Sequence, residues 1–124
     1  MGTAIIKAIE MVRVRKDQFH ANGIPYYRPW IFMITDGAPT DIWQAASERV
    51  HSEEQTNGLA FFAVGVGEAD MKVLTQIAVR SPLKLQGLKF TELFLWLSAS
   101  QKRVSAGKPE WKVALPAPEG WAAV

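Results

Sequence analysis

Two short apolar runs constrain the fold of this chain more than any other feature. The first is Trp30–Ile34, which Thr35–Gly37 closes, and the second is Leu59–Gly67. Neither run alternates with polar residues. Unbroken apolar runs of this length are typical of strands that are covered on both faces, as in parallel sheets. We therefore expect two buried strands, each followed by a loop that contains glycine and acidic residues.

Helical patterns separate and flank these runs. Apolar spacings of three, four and seven residues predict helices over 3–21, roughly 41–56 and 90–105, and Asp70 can cap a short helix after the second strand. Leu83–Leu85 is a candidate third strand. Strands that alternate with helices form a parallel sheet with helices on both faces. The predicted fold is therefore α/β, a doubly wound, Rossmann-like three-layer sandwich with a short parallel sheet of about three strands.

The predicted second helix has few apolar positions. Ile42, Ala46 and Val50 are spaced four residues apart, so they would form its inner stripe. A stripe this sparse predicts that the helix lies at the surface of the protein.

Composition narrows the classes of function. The 124 residues suffice for one domain, and a hydrophobic content of 48% is enough for a core. Cysteine is absent, which excludes disulfides, zinc–thiolate sites and cysteine nucleophiles and leaves the cytoplasm as the default location. The net charge of +2 gives no indication of nucleic-acid binding. No apolar run approaches the roughly 18 residues of a membrane span, so we expect no membrane association.

Acidic residues follow both predicted strands. Ligands gather outside the carboxyl ends of parallel strands, where hard oxygen ligands suit Mg²⁺ or Mn²⁺. We expect Asp41 and Asp70 to cap helices and Glu68 to be solvated. Asp36 differs from them because it directly follows the first strand and precedes a glycine.

The residues before the first strand allow two interpretations. Tyr26, Tyr27, Arg28 and Trp30 fit a recognition patch, but they fit a packed strand entry equally well. The sequence leaves this choice open.

A resemblance to a known family rests on stretches spread over the whole chain. They are Tyr26–Asp41, Phe62–Gly67, Leu85–Ser98, Leu115–Pro116 and Gly120–Trp121. Together they resemble von Willebrand factor A (VWA) domains, in particular the bacterial tellurium-resistance, TerY-type branch. The resemblance implies a VWA-type α/β fold and a role in protein binding.

The resemblance also implies a divalent-cation site, the metal-ion-dependent adhesion site of the family. Its ligands come from an Asp-x-Ser-x-Ser motif, a Thr in a second loop and an Asp in a third. Asp36 matches the third-loop Asp and Thr3 the second-loop Thr, but no Asp here has Ser two and four residues on. One carboxylate and one hydroxyl leave most of an octahedral shell to water. We therefore expect a degenerate site with weak Mg²⁺ or Mn²⁺ binding and no tightly bound cofactor.

Because that motif is missing, the resemblance implies that residues 1–124 are a single, truncated VWA-like domain, and we expect 106–124 to be an irregular tail. In a complete domain the strand that matches Trp30–Ile34 lies beside a first strand that has no counterpart here. Its open edge would be a row of unpaired backbone groups, which proteins usually cover. We expect a homodimer that pairs along this edge across a two-fold axis. The alternative covers are the segment Trp111–Leu115 and the N-terminal helix.

The expected function is a non-enzymatic protein-interaction module, in the stress or metal-resistance context that the resemblance implies. Its contact surface combines the candidate metal ligands with the loops that follow the strands. These residues are Thr3, Asp36, Gly37, Thr40, Asp41, Glu68 and Asp70. One alternative is a structural domain that works as an obligate homodimer or as half of a split domain. A metal-assisted hydrolase ranks last because the sequence offers no identifiable nucleophile or general base.

Overall fold

The computed structural model describes residues 1–87, 89–107, 115 and 122–123. Helices and strands alternate along these residues. The helices are α1 (Gly2–Ala21), α2 (Gln44–Gln55), α3 (Met71–Ile77) and α4 (Phe90–Ser105). The strands are β1 (Trp30–Thr35), β2 (Ala60–Gly65), β3 (Leu83–Leu85) and β4 (Ala122–Ala123). The architecture is α/β and is compatible with the Rossmann-like sandwich that the sequence predicts.

The strands form one sheet in the order β1-β2-β3-β4. β1 and β2 are parallel, with a register that runs from Trp30 opposite Ala60 to Thr35 opposite Gly65. β3 is parallel to β2, and β4 is antiparallel to β3. The parallel part thus has three strands, as predicted. The segment expected to be an irregular tail contributes β4, and most of its other residues lie outside the described part of the chain.

β2 is the centre of the core, because every one of its residues is buried. Successive strand residues point to opposite faces of a sheet. Phe61 and Ala63 therefore join a cluster with α1, α2 and α3. Phe62 and Val64 join a second cluster, on the face that α4 covers. These two clusters make the sandwich three layers thick.

Aromatic rings fill the layer between the sheet and α4. The rings of Phe32 and Phe62 are stacked with centroids 4.7 Å apart. Trp96 of α4 meets both rings edge-on, at 6.3 Å from Phe32 and 5.9 Å from Phe62. Aromatic pairs at such distances add to the stabilisation that comes from burial alone. α4 is therefore fixed on β1 and β2 by three rings.

The inner stripe of α2 differs from the prediction. Ala46 and Val50 are fully buried as expected, but Ile42 is 81% exposed. The expectation for Ile42 is wrong because α2 begins at Gln44, and residues 36–43 form a loop that packs on the start of α1. A Cβ on Gly2 would lie 2.5 Å from the carbonyl oxygen of Ile42, which shows how closely the loop approaches.

The far half of α1 is attached to the end of α2 and to the turn that follows. Nη2 of Arg13 lies 3.0 Å from Oε1 of Glu53. Nζ of Lys16 donates a hydrogen bond to the carbonyl oxygen of Gly58 at 2.8 Å. Both attachments join residues about forty positions apart in sequence. α1 is thus held at both ends by the segment that contains α2.

Candidate functional site

The loops after β1 and β2 meet at the carboxyl edge of the sheet. The backbone N–H of Val66 donates to the carbonyl oxygen of Thr35 at 2.8 Å and extends the ladder beyond β2. The N–H of Asp70 donates to the carbonyl oxygen of Gly37 at 3.3 Å and joins the second loop to the first. The two loops are therefore close together, as expected for loops that follow neighbouring parallel strands.

Asp41 holds the start of α1 against this edge. Its Oδ1 accepts from the terminal amino group of Met1 at 3.1 Å and from the N–H of Gly2 at 3.0 Å. Its Oδ2 accepts from the N–H of Thr3 at 3.0 Å. Asp41 was expected to cap a helix, and the helix it caps is α1, whereas α2 begins at Gln44.

These contacts change the acidity of Asp41. The backbone N–H groups of Thr3 and Gly2 hold the pKa of its carboxyl group well below the ordinary value, and the terminal amino group adds to the effect. The carboxylate therefore stays ionised, with both of its oxygens engaged by α1.

Asp70 and Glu68 lie in the second loop. Oδ1 of Asp70 accepts from the N–H of Val73 at 3.2 Å, so Asp70 caps α3 as predicted. Glu68 is exposed beside Gly67, whose φ of +58° makes the turn. Of these two carboxylates, Glu68 is the one that faces solvent.

The two predicted metal ligands lie on different elements. Asp36 is exposed in the loop after β1, and Thr3 is exposed in the first turn of α1. Thr3 is joined to Asp41 through its backbone N–H, which donates to Oδ2 at 3.0 Å. Within the described residues, no group of three or more His, Asp or Glu side chains could hold a metal ion.

The donor set at this edge does not fit a complete magnesium site. Mg²⁺ requires near-octahedral oxygen coordination. The carboxylates of Asp41 and Asp70 already accept hydrogen bonds from backbone N–H groups. The candidate metal ligands that remain are the carboxylate of Asp36 and the hydroxyl of Thr3.

A groove runs from this edge along the side of β1. It has a volume of about 370 Å³ and lies between β1 and the N-terminal half of α1. Ala4 and Ala8 line it on the helix side, while Ile34 and Thr35 line it on the strand side. Ile34 is 45% exposed although it belongs to the sheet. The side of β1 away from β2 is therefore accessible from the groove.

Sequence reasoning missed a buried ionic cluster at the opposite end of the sheet. The Glu54 side chain is 5% exposed, and its Oε2 lies 2.7 Å from Nη2 of Arg28. Its Oε1 accepts from Nε of Arg80 at 3.1 Å and from the N–H of Phe61 at 2.8 Å. The available signal was the spacing, because Glu54 lies four residues after Val50 on the inner stripe of α2.

The residues that lead into β1 are packed against the rest of the protein. Arg28 is fixed by Glu54 and by the carbonyl oxygen of Leu59, to which its Nε donates at 2.8 Å. The ring of Trp30 packs on Phe62 with centroids 5.4 Å apart. Tyr27 remains 40% exposed. Of the two interpretations left open by the sequence, the contacts of Arg28 and Trp30 favour packing.

Comparison of the chain with protein-family models, curated proteins and solved structures finds no match. Among the described residues, no helix is both long enough and apolar enough to cross a bilayer. The resemblance to VWA domains therefore stays a prediction from the sequence.

Proposed function

We propose that this chain is a non-enzymatic, VWA-like protein-interaction module, and that its contact surface is the carboxyl edge of the sheet. The observation that supports this most directly is the hydrogen bond from Asp70 to Gly37, which joins the two loops. Together with the contacts of Asp41 to α1, it fixes the backbone that presents the exposed side chains. A preorganised surface loses little conformational entropy when a partner binds.

The exposed groups of this edge define the chemistry of the partner. Asp36 and Glu68 are exposed carboxylates, and Thr40 adds an exposed hydroxyl. Carboxylates form their strongest hydrogen bonds with Arg and Lys side chains. The partner is therefore a protein that presents basic side chains to this edge, where Gly37 directly follows Asp36.

The positions of the histidines support a non-enzymatic role. The chain has two, and neither lies at the carboxyl edge. His20 is in the last turn of α1. Nε2 of His51 lies 3.1 Å from the carbonyl oxygen of Gln76. A hydrolase at this edge would lack the usual general base, so we rank the hydrolase below the interaction module.

The metal-ion-dependent adhesion site is proposed to be degenerate. Asp36 and Thr3 would hold Mg²⁺ or Mn²⁺ weakly, and the missing ligands would have to come from a partner. The resemblance to TerY-type proteins supports a role in stress or metal resistance.

Affinity capture from the source organism tests the proposed surface. The variant Asp36→Lys/Glu68→Lys should lose a partner that the unmodified chain retains, because it reverses the charge of the edge. The matched control is Glu92→Lys, an exposed reversal in the first turn of α4. Loss of the same partner with the control variant, or retention with the double variant, contradicts the proposal.

A further inference from the structure

The backbone of β1 pairs with β2 through alternate residues. The N–H of Ala60 donates to the carbonyl oxygen of Pro29 at 2.8 Å, and the N–H of Val66 donates to that of Thr35 at 2.8 Å. In a parallel ladder, alternate residues of a strand direct both backbone groups to the same neighbour. The odd-numbered residues of β1 therefore face β2.

The even-numbered residues of β1 direct their backbone groups away from β2. These are Trp30, Phe32 and Ile34, and within the described residues β1 has no strand on that side. Proteins usually protect such an edge with Lys, with Pro or with a bulge. β1 contains no charged residue and no proline, and it pairs with β2 without a bulge.

The groove beside this edge gives a second strand room to approach. Ala4 and Ala8 present small side chains to it from α1. Met11 continues the same helix face three residues after Ala8 and is 65% exposed. The open backbone groups and the apolar wall thus lie side by side.

We propose that two copies of this chain pair through β1, antiparallel across a two-fold axis, and form one continuous sheet. The interface lies along the side of the sheet, whereas the proposed contact surface for a basic partner lies at its carboxyl edge. Each proposal can therefore fail without the other.

The register that a two-fold axis imposes can use every outward backbone group of β1. Opposed residues of an antiparallel pair share a face of the sheet, so a two-fold axis perpendicular to the sheet must pass midway between one residue of β1 and its own symmetry mate. An axis beside Phe32 places Trp30 opposite Ile34 of the second copy, so the outward backbone groups of Trp30, Phe32 and Ile34 all form hydrogen bonds. An axis beside Met33 would leave the outward backbone groups of Trp30 without a partner.

Charge also permits self-pairing. Each side chain of a two-fold pair has a symmetry-related copy nearby, so a charged residue at the centre of the strand would meet its own charge. The residues of β1 are uncharged, and its central side chain is aromatic. Paired Phe32 rings would extend the aromatic layer under α4.

Sedimentation equilibrium over a range of protein concentrations tests the dimer. The unmodified chain should show a reversible dimer, and Ile34→Lys should raise its dissociation constant at least tenfold. The matched control is Val79→Lys, because Val79 is also apolar, is 51% exposed and follows α3 instead of belonging to β1. A monomer at every concentration, or equal weakening by both variants, overturns the proposal.

Cysteine cross-linking tests the register independently of that variant. The natural chain has no cysteine, so each introduced thiol is the only one. Phe32→Cys should form a disulfide dimer, since Cα atoms of a hydrogen-bonded antiparallel pair lie about 5.5 Å apart. Ile34→Cys should not, because its symmetry mate lies roughly four residues, about 13 Å, along the strand. Circular dichroism checks that both variants are folded. If the Ile34→Cys variant then forms a disulfide dimer and the Phe32→Cys variant does not, this register is wrong.

Discussion

The carboxylate of Glu54 lies 2.7 Å from Nη2 of Arg28, and this ion pair joins α2 to the segment that enters β1. The other oxygen of Glu54 accepts from Arg80 and from the backbone N–H of Phe61. One carboxylate therefore fixes the start of both long strands and the connection after α3. Removing its charge would leave buried donors without an acceptor, which is costly even where an intact ion pair adds little net stability.

We expect Glu54→Gln to lower the free energy of unfolding by about 2–4 kcal/mol, because it removes the charge that Arg28 and Arg80 share. Urea denaturation followed by circular dichroism measures this. The control is Glu48→Gln on the exposed side of α2, which should change stability by less than about 0.5 kcal/mol. Similar effects from the two variants would show that the cluster has no special role.

Asp41→Asn should weaken the docking of α1 and alter the response to acid. The pKa of Asp41 is lowered in the folded state, so its contribution to stability is present above its ordinary pKa, near 4, and is lost as the pH falls below that value. The variant should therefore melt at a lower temperature at pH 7 and show a smaller loss of Tm on acidification. Asp17→Asn, on the exposed surface of α1, is the control. An unchanged pH profile of Tm for Asp41→Asn contradicts the cap.

Gly2→Ala tests the close approach of α1 to the loop before α2. Alanine usually stabilises a helix relative to glycine by about 1 kcal/mol. Here its Cβ would lie 2.5 Å from the carbonyl oxygen of Ile42, and relieving such overlap costs typically about 1–3 kcal/mol. We expect a net loss of stability in thermal melts. Gly37→Ala is the control, since no atom lies within 4 Å of a Cβ there. A higher Tm for Gly2→Ala would show that the loop does not pack on α1.

Mg²⁺ or Mn²⁺ titration should give no saturable binding at micromolar concentrations. The matched ligand positions supply one exposed carboxylate, Asp36, and one hydroxyl, Thr3, and a hard cation in this shell would keep most of its waters. Calorimetry and thermal shift in the presence of each cation measure this, with EDTA-treated protein as the reference. A tight, stoichiometric site that Asp36→Ala abolishes would contradict the degenerate assignment.

The sequence predicted the elements whose signal is local. β1 and β2 follow from unbroken apolar runs, Asp70 caps α3, and the bounds of α4 agree with its apolar stripe. The meeting of the two loops at the carboxyl edge follows from the parallel order of β1 and β2.

The remaining features depend on tertiary contacts. Ile42 continues the spacing of Ala46 and Val50, yet it lies in a loop that packs on the start of α1, and α2 begins only at Gln44. A glutamate in a helix is usually solvated, whereas Glu54 is buried because it pairs with two arginines that are distant in sequence. The spacing within α2 places Glu54 on the inner stripe, but a pattern confined to one segment does not show which distant residues it contacts.

The attachment of α1 has a consequence for the order of events during synthesis. Its polar contacts reach Asp41, Glu53 and Gly58, so the first helix leaves the ribosome long before the residues that hold it. Such distant contacts carry a loop-closure cost that must be met before they form. The full set of these contacts can therefore form only after α2 and the turn that follows it have been synthesised. Until then the apolar face of α1, which includes Ile5 and Ile9, lacks the α2 residues Ala46 and Val50 of its cluster.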